Sequence, residues 1–334
     1  MTLRVGINGF GRIGRSVFRI LVDRPGVEVV AINDLFDNAH LAYLLQYDTV
    51  MRQFDRAVAS DDDFLYYGDR RVAMTDATDP AAIPWGRLGA DYVVESTGVF
   101  RRREQLARHL AGGAKKVLLT VPAKDEIDNM IVMGVNDDRL RREDKIVSNA
   151  SCTTNCLAPI VRVLDDAFGV EEGLVSTVHA YTNDQRLADV PHKDLRRSRA
   201  AAANIIPTTT GAARAVGKVM PHLKGKLDGV AIRVPVPDGS IVDFSCRLRS
   251  QPGVAEVNAA VAARAAADLA NIVQYSEAPL VSSDIIGNPH SSIFDAPSTQ
   301  ASGGWARVIS WYDNEWGYSN RVVDLLERLA EIDR

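Results

Sequence analysis

Cys152 lies in the run Ser148-Asn149-Ala150-Ser151-Cys152-Thr153-Thr154-Asn155-Cys156, between an apolar, strand-like Lys145-Ile146-Val147 and an apolar helical pattern over residues 157–168. At a strand-to-helix turn, free backbone N–H groups and the helix dipole favour a thiolate. The same N–H groups can stabilise the oxyanion formed when a thiolate adds to a carbonyl. A cysteine in this position is equally readable as a small buried apolar residue, and the local sequence leaves both readings open. The base best placed to serve it is His179, which ends the strand-like residues 174–178; His40, His109, His192, His222 and His290 lack such a setting. A lone histidine is also readable as structural, and spacing alone does not bring it to Cys152.

Anion-handling candidates follow in the same half. Thr210-Gly211 at a helix start offers a hydroxyl and N–H groups, Arg233 interrupts an apolar strand over residues 230–236, and Thr182 stands three residues past His179. Helix cap, buried ion pair and loop threonine are the ordinary alternatives. Arg197 belongs to a basic segment, residues 192–199, which fits a subunit interface as well as a site.

The elements that must position this chemistry fall into two groups. Leu3, Val5 and Ile7 read as a strand, and Val17, Phe18, Ile20 and Leu21 repeat at helical spacing. Between them Gly9, Gly11 and Gly14 form G-x-G-x-x-G in the strand–turn–helix context that a dinucleotide site requires. The glycines allow the tight turn, admit the pyrophosphate to the backbone, and let helix pack on strand. Asp34 ends a second apolar run and falls 20 residues beyond Gly14, where a carboxylate accepts hydrogen bonds from the adenosine ribose. A carboxylate there repels a 2′-phosphate, so NAD is expected rather than NADP. Further apolar runs at residues 91–95, 116–120, 130–133 and 146–147 alternate with helical patterns, which predicts an α/β fold with a doubly wound parallel sheet. Ser96-Thr97-Gly98 and Thr120 stand just past strand ends, the edge where ligands bind in such sheets. The charge runs at residues 60–63, 101–103 and 139–142 read as solvated surface. After Cys156 the strands lengthen and look more antiparallel; residues 229–237 reach Asp238-Gly239, a hairpin signal, and return as residues 240–248. A second, α+β domain with a largely antiparallel or mixed sheet is therefore expected from about Ser151.

Composition narrows the function classes. The 334 residues are 46% apolar and 25% charged, enough for two globular domains, and a net charge of -4 gives no push toward nucleic acid or membrane. Three cysteines (Cys152, Cys156, Cys246) argue against a disulfide framework and for a reducing compartment. No cysteine–histidine spacing completes a metal pattern, so no metal is expected. With no basic-then-apolar leader and no uncharged apolar run of spanning length, a cytoplasmic protein is expected.

Taken together, the segments INGFGRIGR, SNASCTTNCLAP, YTNDQR, VPHKDLRR, IIPTTTGAA and SWYDNEWGYSNRVVDL resemble the phosphorylating glyceraldehyde-3-phosphate dehydrogenases, over essentially the whole chain. The resemblance implies an NAD-binding Rossmann domain over residues 1–150, completed by a C-terminal helix at 315–334, and a catalytic domain over 151–314. It implies Cys152 as nucleophile, activated by His179. Arg12, Ile13 and Asp34 would contact NAD, with Thr120 near it and Asn314 on the nicotinamide carboxamide. Ser151, Thr153, Thr210 and Gly211 would surround an inorganic phosphate; Thr182 and Arg233 would hold the substrate's own phosphate, with Arg197 among these contacts. Leu35, Val190 and Pro191 match the NAD-preferring pattern. The implied substrates are D-glyceraldehyde 3-phosphate and phosphate, and the implied assembly is a homotetramer in which residues 181–201 reach a neighbour's cofactor. Thr78, Val121 and Met51-Arg52 depart from common family residues without touching the proposed chemistry. The alternative enzyme is an erythrose-4-phosphate dehydrogenase, whose segment after the histidine usually departs from the Tyr181-Thr182-Asn183-Asp184 kept here. A non-catalytic nucleotide-binding protein of this fold would be expected to lose Cys152, His179 or Arg233, and all three are present.

Overall fold

Short apolar runs buried on both faces pair in parallel, and that is what the first 150 residues do in the computed structural model, which describes residues 2–334. In chain order they form β1 (Leu3–Asn8), α1 (Arg12–Leu21), β2 (Val27–Asn33), α2 (Asn38–Gln46), β3 (Val58–Ser60), β4 (Phe64–Tyr67), β5 (Arg70–Thr75), α3 (Trp85–Leu88), β6 (Tyr92–Glu95), α4 (Arg103–Ala111), β7 (Lys116–Leu119), β8 (Asn129–Met130) and β9 (Ile146–Ser148). The nine strands stand in the order β3-β4-β5-β2-β1-β6-β7-β9-β8. From β5 to β8 every pairing is parallel; β3 and β4 add an antiparallel edge. The order reverses between β1 and β6, so their carboxyl ends open a ligand crevice.

The remaining elements are α5 (Cys152–Phe168), β10 (Val170–Ala180), β11 (Ile206–Thr209), α6 (Ala212–Val219), β12 (Leu227–Val234), β13 (Ser240–Leu248), α7 (Val254–Ala265), β14 (Val273–Ser276), β15 (Ser292–Asp295), β16 (Gln300–Ser302), β17 (Trp305–Tyr312) and α8 (Trp316–Asp333). The strands form one mixed, mostly antiparallel sheet in the order β11-β12-β10-β13-β17-β15-β14, with β16 on β17. Two compact units result. The first holds the chain up to Ile131 with Asp138–Ala150 and Ser319–Arg334; the second holds Val132–Asp137 and Ser151–Tyr318.

The C-terminal segment is part of the first unit's core. Val322, Val323, Leu325, Leu326 and Leu329 of α8 are fully buried, each contributing about 1.5–3 kcal/mol by leaving water. Asp333 ties its end down, accepting from Tyr92 Oη at 2.6 Å and pairing with the buried Lys116 Nζ at 2.8 Å.

Three expectations are corrected. Of residues 130–133 only Met130 is in a strand, the two-residue β8 that begins at Asn129; the chain then leaves the sheet and turns at Gly134, φ 75°. Asp238-Gly239 does not close a hairpin: β10 lies between β12 and β13, parallel to the first and antiparallel to the second. The local turn signal is real, but β10 supplies the better-buried partner for both strands. His179 sits inside β10 rather than beyond its end, since the strand runs to Ala180. The β3–β5 meander was not foreseen; Asp61, in the charge run at 60–63, forms its turn by accepting from the N–H groups of Asp63 and Phe64.

Candidate active site

In the first unit the glycine turn is open where a phosphate must enter. A Cβ on Gly11 would meet nothing within 4 Å, whereas one on Gly14 would lie 2.1 Å from the Gly9 carbonyl oxygen. Gly9 has φ +89°, and a Cβ there would press on Thr97 N at 2.7 Å. No side chain caps α1 at Gly11, so the helix start offers its N–H groups outward. These features fit a dinucleotide pyrophosphate. Asp34 accepts from Phe10 N at 2.6 Å and Phe36 N at 3.1 Å, which fixes its carboxylate against the turn and leaves lone pairs for ribose hydroxyls. Beside it, Leu35, Phe36, Met74 and Thr75 help line a cavity of about 550 Å³.

Arg12 is oriented by Asp48, to which it donates through both terminal nitrogens at 2.9 and 3.1 Å. Burial works against the Asp48 charge, but Arg12 and the N–H groups of Met51 and Val50 hold its carboxyl below the usual range. Ile13 is half-buried. Thr120 is buried at the end of β7 and donates to Glu95 O at 3.1 Å.

The residue that organises this crevice was not singled out from sequence. Glu95, fully buried, accepts from Asn8 Nδ2 at 2.5 Å and Thr97 N at 2.9 Å, and contacts His109 Nε2 at 2.9 Å. Trp85 Nε1 donates to His109 Nδ1 at 3.0 Å, which makes Nε2 the protonated nitrogen that donates to Glu95. The carboxylate thereby ties the ends of β1 and β6 together. A charged residue closing an apolar strand was the available signal.

In the second unit Ser151 caps α5, its Oγ accepting from Thr154 N at 3.1 Å, and Cys152 begins the helix. Ala150, just before the cap, is fully buried at φ 55°, a conformation that non-glycine residues seldom adopt. Cys152 is a partly buried residue whose Sγ lies 3.5 Å from His179 Nε2. His179 Nδ1 is 2.7 Å from the Ala180 carbonyl oxygen; with the ring hydrogen on Nδ1 donating there, the Nε2 lone pair faces the sulfur. Burial, then the nearby Arg233 charge, pushes the imidazole down to about 3. Burial pushes the thiol up, while Arg233 and the hydroxyl and N–H of Thr153 pull it back toward the thiolate. The resting pair is a thiol facing a neutral base, with a cation alongside to stabilise the ionised sulfur.

Arg233 is that cation. It faces His179 across β10 and β12, donates from Nη1 to Ala180 O at 2.9 Å, and contacts His179 Nδ1. Its buried Nε has no partner, and no carboxylate pairs with it among the described residues. Such a guanidinium has donors to spare for an anion. Thr210 and Gly211 precede α6; Thr210 Oγ1 accepts from Ala212 N at 3.2 Å, and the space over Gly211 is open. The other candidates are already engaged. Arg197 donates from Nε to Thr208 Oγ1 at 2.9 Å and pairs with Asp184 and Asp194; Thr182 donates to Asp184; Thr153 Oγ1 meets Tyr312 Oη at 2.9 Å. Asn314 is buried beside Ser240.

Tyr312 was also missed. Its ring meets that of His179 edge-on at 5.8 Å, and its hydroxyl lies 2.9 Å from both Thr153 Oγ1 and Thr177 Oγ1. Nothing local in the sequence marks it, since the contact joins residues far apart in the chain. Cys156, by contrast, is fully buried against Ser292 Oγ at 3.6 Å, and burial pushes its thiol far up. It is inert.

A crevice built for a dinucleotide in one unit and a cysteine–histidine pair beside an unpaired guanidinium in the other make this a nucleotide-dependent dehydrogenase. Residues 3–103 match the family model described as the glyceraldehyde 3-phosphate dehydrogenase NAD binding domain, and residues 151–314 match that of the C-terminal domain. The chain belongs to the glyceraldehyde-3-phosphate dehydrogenase family, and its cofactor is NAD. It is similar to proteins named glyceraldehyde-3-phosphate dehydrogenase from Mycobacterium tuberculosis, 55% identical over 333 residues, and Streptomyces coelicolor, 54% over 329. It is also 54% identical over 333 residues to one named glyceraldehyde-3-phosphate dehydrogenase 1 from Bacillus subtilis. These alignments cover at least 97% of either chain. No helix among the described residues is long and apolar enough to cross a membrane, and no group of metal-ligating side chains is present among them.

Proposed function

We propose that the chain oxidises D-glyceraldehyde 3-phosphate to 1,3-bisphosphoglycerate through a thioester on Cys152, as a step of glycolysis or its reversal in the cytoplasm. The observation that carries this reading is the approach of Cys152 Sγ to His179 Nε2 beside the unpaired Arg233. The sulfur gives its proton to Nε2 and adds to the aldehyde carbon, and the N–H groups at the start of α5 stabilise the oxyanion. His179 Nε2 returns that proton to the oxygen, which leaves a neutral imidazole and a hemithioacetal on Cys152. NAD, when bound, supplies the hydride acceptor. His179 takes the hydroxyl proton as the hydride departs, leaving a carbonyl on sulfur, which is a thioester. Phosphate then attacks that carbonyl, the C–S bond breaks, and Cys152 leaves as thiolate.

The proposed roles are these. The residues 1–150 with the 315–334 helix take the nucleotide: Gly9, Gly11, Arg12, Ile13 and Gly14 the pyrophosphate, Asp34 the ribose, with Thr120 nearby. In the 151–314 catalytic domain, Asn314 takes the nicotinamide carboxamide. Arg233 and Thr182 take the substrate phosphate. Ser151, Thr153, Thr210 and Gly211 take the attacking phosphate, a reading supported by the open space over Gly211. Arg197 joins them by exchanging a carboxylate partner for the anion. A homotetramer is consistent with the exposed Leu174 and Val230 on adjacent strands of the second sheet, and with Leu187, Leu195 and Val190 on the loop after β10.

An initial-rate assay crossing NAD and NADP, phosphate present and absent, and the triose and tetrose phosphate aldehydes tests the whole reading. The expected result is fast, phosphate-dependent turnover of the triose with NAD. Equal use of NADP would overturn the reading of Asp34, and preference for the tetrose would overturn that of the substrate.

A further inference from the structure

We propose that Ser240 is a positioning residue for the nicotinamide end of the cofactor: its hydroxyl sets which way the Asn314 amide points. The proposal rests on the reading that Asn314 takes the nicotinamide carboxamide. Ser240 is almost fully buried, so its hydroxyl must find its partners within the protein. It accepts from Ala180 N at 3.0 Å and reaches Asn314 Oδ1 at 2.6 Å. A hydroxyl has one hydrogen to give, and with the Ala180 amide occupying a lone pair, Asn314 is the group left to receive it. The amide oxygen is thereby held toward Ser240. Nδ2, with two donors and no partner among the described residues, is held away from it, ready for a carbonyl oxygen. The opposite amide orientation would set an N–H against a hydroxyl whose hydrogen then has no acceptor.

Ser240 is itself fixed on both sides. Gly239 before it has φ +83°, and a Cβ there would lie 2.2 Å from the Ser282 carbonyl oxygen, so the chain is pinned at that point. In the β13–β17 register Ser240 stands opposite Tyr312, two residues before Asn314. Asp313, between them, accepts from Gly287, Glu315 and Trp316 N–H groups at 2.6–2.8 Å, which holds the backbone carrying Asn314. The same residue that donates to Ser240, Ala180, receives His179 Nδ1 on its carbonyl. Ser240 thus registers the carboxamide-binding amide against the catalytic base through one residue of β10.

The test compares NAD with ADP-ribose, which has the same ADP-ribose portion but no nicotinamide, by titration calorimetry on the full chain and on S240A, N314A and the double variant. The expected result is that S240A weakens NAD about 3- to 10-fold, the range of one hydrogen bond, and leaves ADP-ribose unchanged. The double variant should bind NAD no worse than N314A, because both changes remove the same interaction. Equal weakening of both ligands by S240A would mean a merely structural serine and overturn the proposal, as would unchanged NAD binding or additive losses in the double variant. If N314A itself leaves NAD binding unchanged, the reading of Asn314 fails, and this proposal with it. Should S240A not fold, S240C, similar in size but a weak donor, is expected to give the same NAD-only loss, and equal loss with both ligands would again overturn the proposal.

Discussion

Two strand-to-helix turns carry the two halves of this enzyme, and they solve opposite problems. The turn from β1 into α1 works by omission: three glycines remove side chains, no cap covers the helix start, and the backbone is left for a ligand. The turn from β9 into α5 works by addition. Ser151 caps the helix, Ala150 is held at positive φ, and Cys152 is presented at the first helical position beside His179. A turn that binds can be specified by small residues at fixed spacing. A turn that reacts needs partners from elsewhere in the chain.

The largest expected effect is at the second turn. C152A should lower turnover by about 10⁴-fold or more while leaving NAD affinity intact in calorimetry; C156A, one helical turn on, should stay close to wild type because that thiol is sealed in the core. Activity surviving in C152A would end the distinction between the turns. H179N should lower kcat by about 10²- to 10⁴-fold, the usual worth of a general base, with NAD binding again unchanged; steady-state kinetics and calorimetry together check it.

At the first turn G14A should do the reverse. Its Cβ, 2.1 Å from Gly9 O, forces the turn open, so NAD affinity should drop by about 10-fold or more, which is ~1.4 kcal/mol. Alkylation of Cys152 by iodoacetamide without NAD should proceed at the wild-type rate. Unaltered NAD affinity would contradict the assigned role of the glycines. The smallest effect is expected for A150G. A buried Ala→Gly change ordinarily destabilises, but relief of positive φ offsets the entropy lost, so denaturant unfolding should shift by no more than about 1 kcal/mol. A larger loss would mean that Ala150 carries no strain.

This contrast also explains what could be read before the structure. Gly9, Gly11, Gly14 and Asp34 were legible because the physics that requires them is local: a turn, a helix start, a strand end at fixed spacing. The cysteine turn was legible as a place, but its partners were not. His179 reaches Cys152 from β10, Arg233 reaches His179 from β12, and Tyr312 reaches both Thr153 and Thr177 from β17. Strand order decides those meetings, and the Asp238-Gly239 signal pointed to the wrong order, because turn chemistry cannot reveal that a third strand lies between two others. The family resemblance supplied what spacing did not. Glu95 and Ser240 escaped both routes, because their effect is on neighbours rather than on a ligand.

The central claim is that Cys152 carries the acyl group, and the most direct measurement is a rapid-mix experiment with D-glyceraldehyde 3-phosphate and NAD in the absence of phosphate. The account predicts a burst of NADH stoichiometric with active chains, and a phosphoglyceryl adduct on the peptide bearing Cys152 by mass spectrometry, discharged when phosphate is added. No adduct, an adduct on another residue, or steady NADH formation without phosphate at the full rate would contradict it.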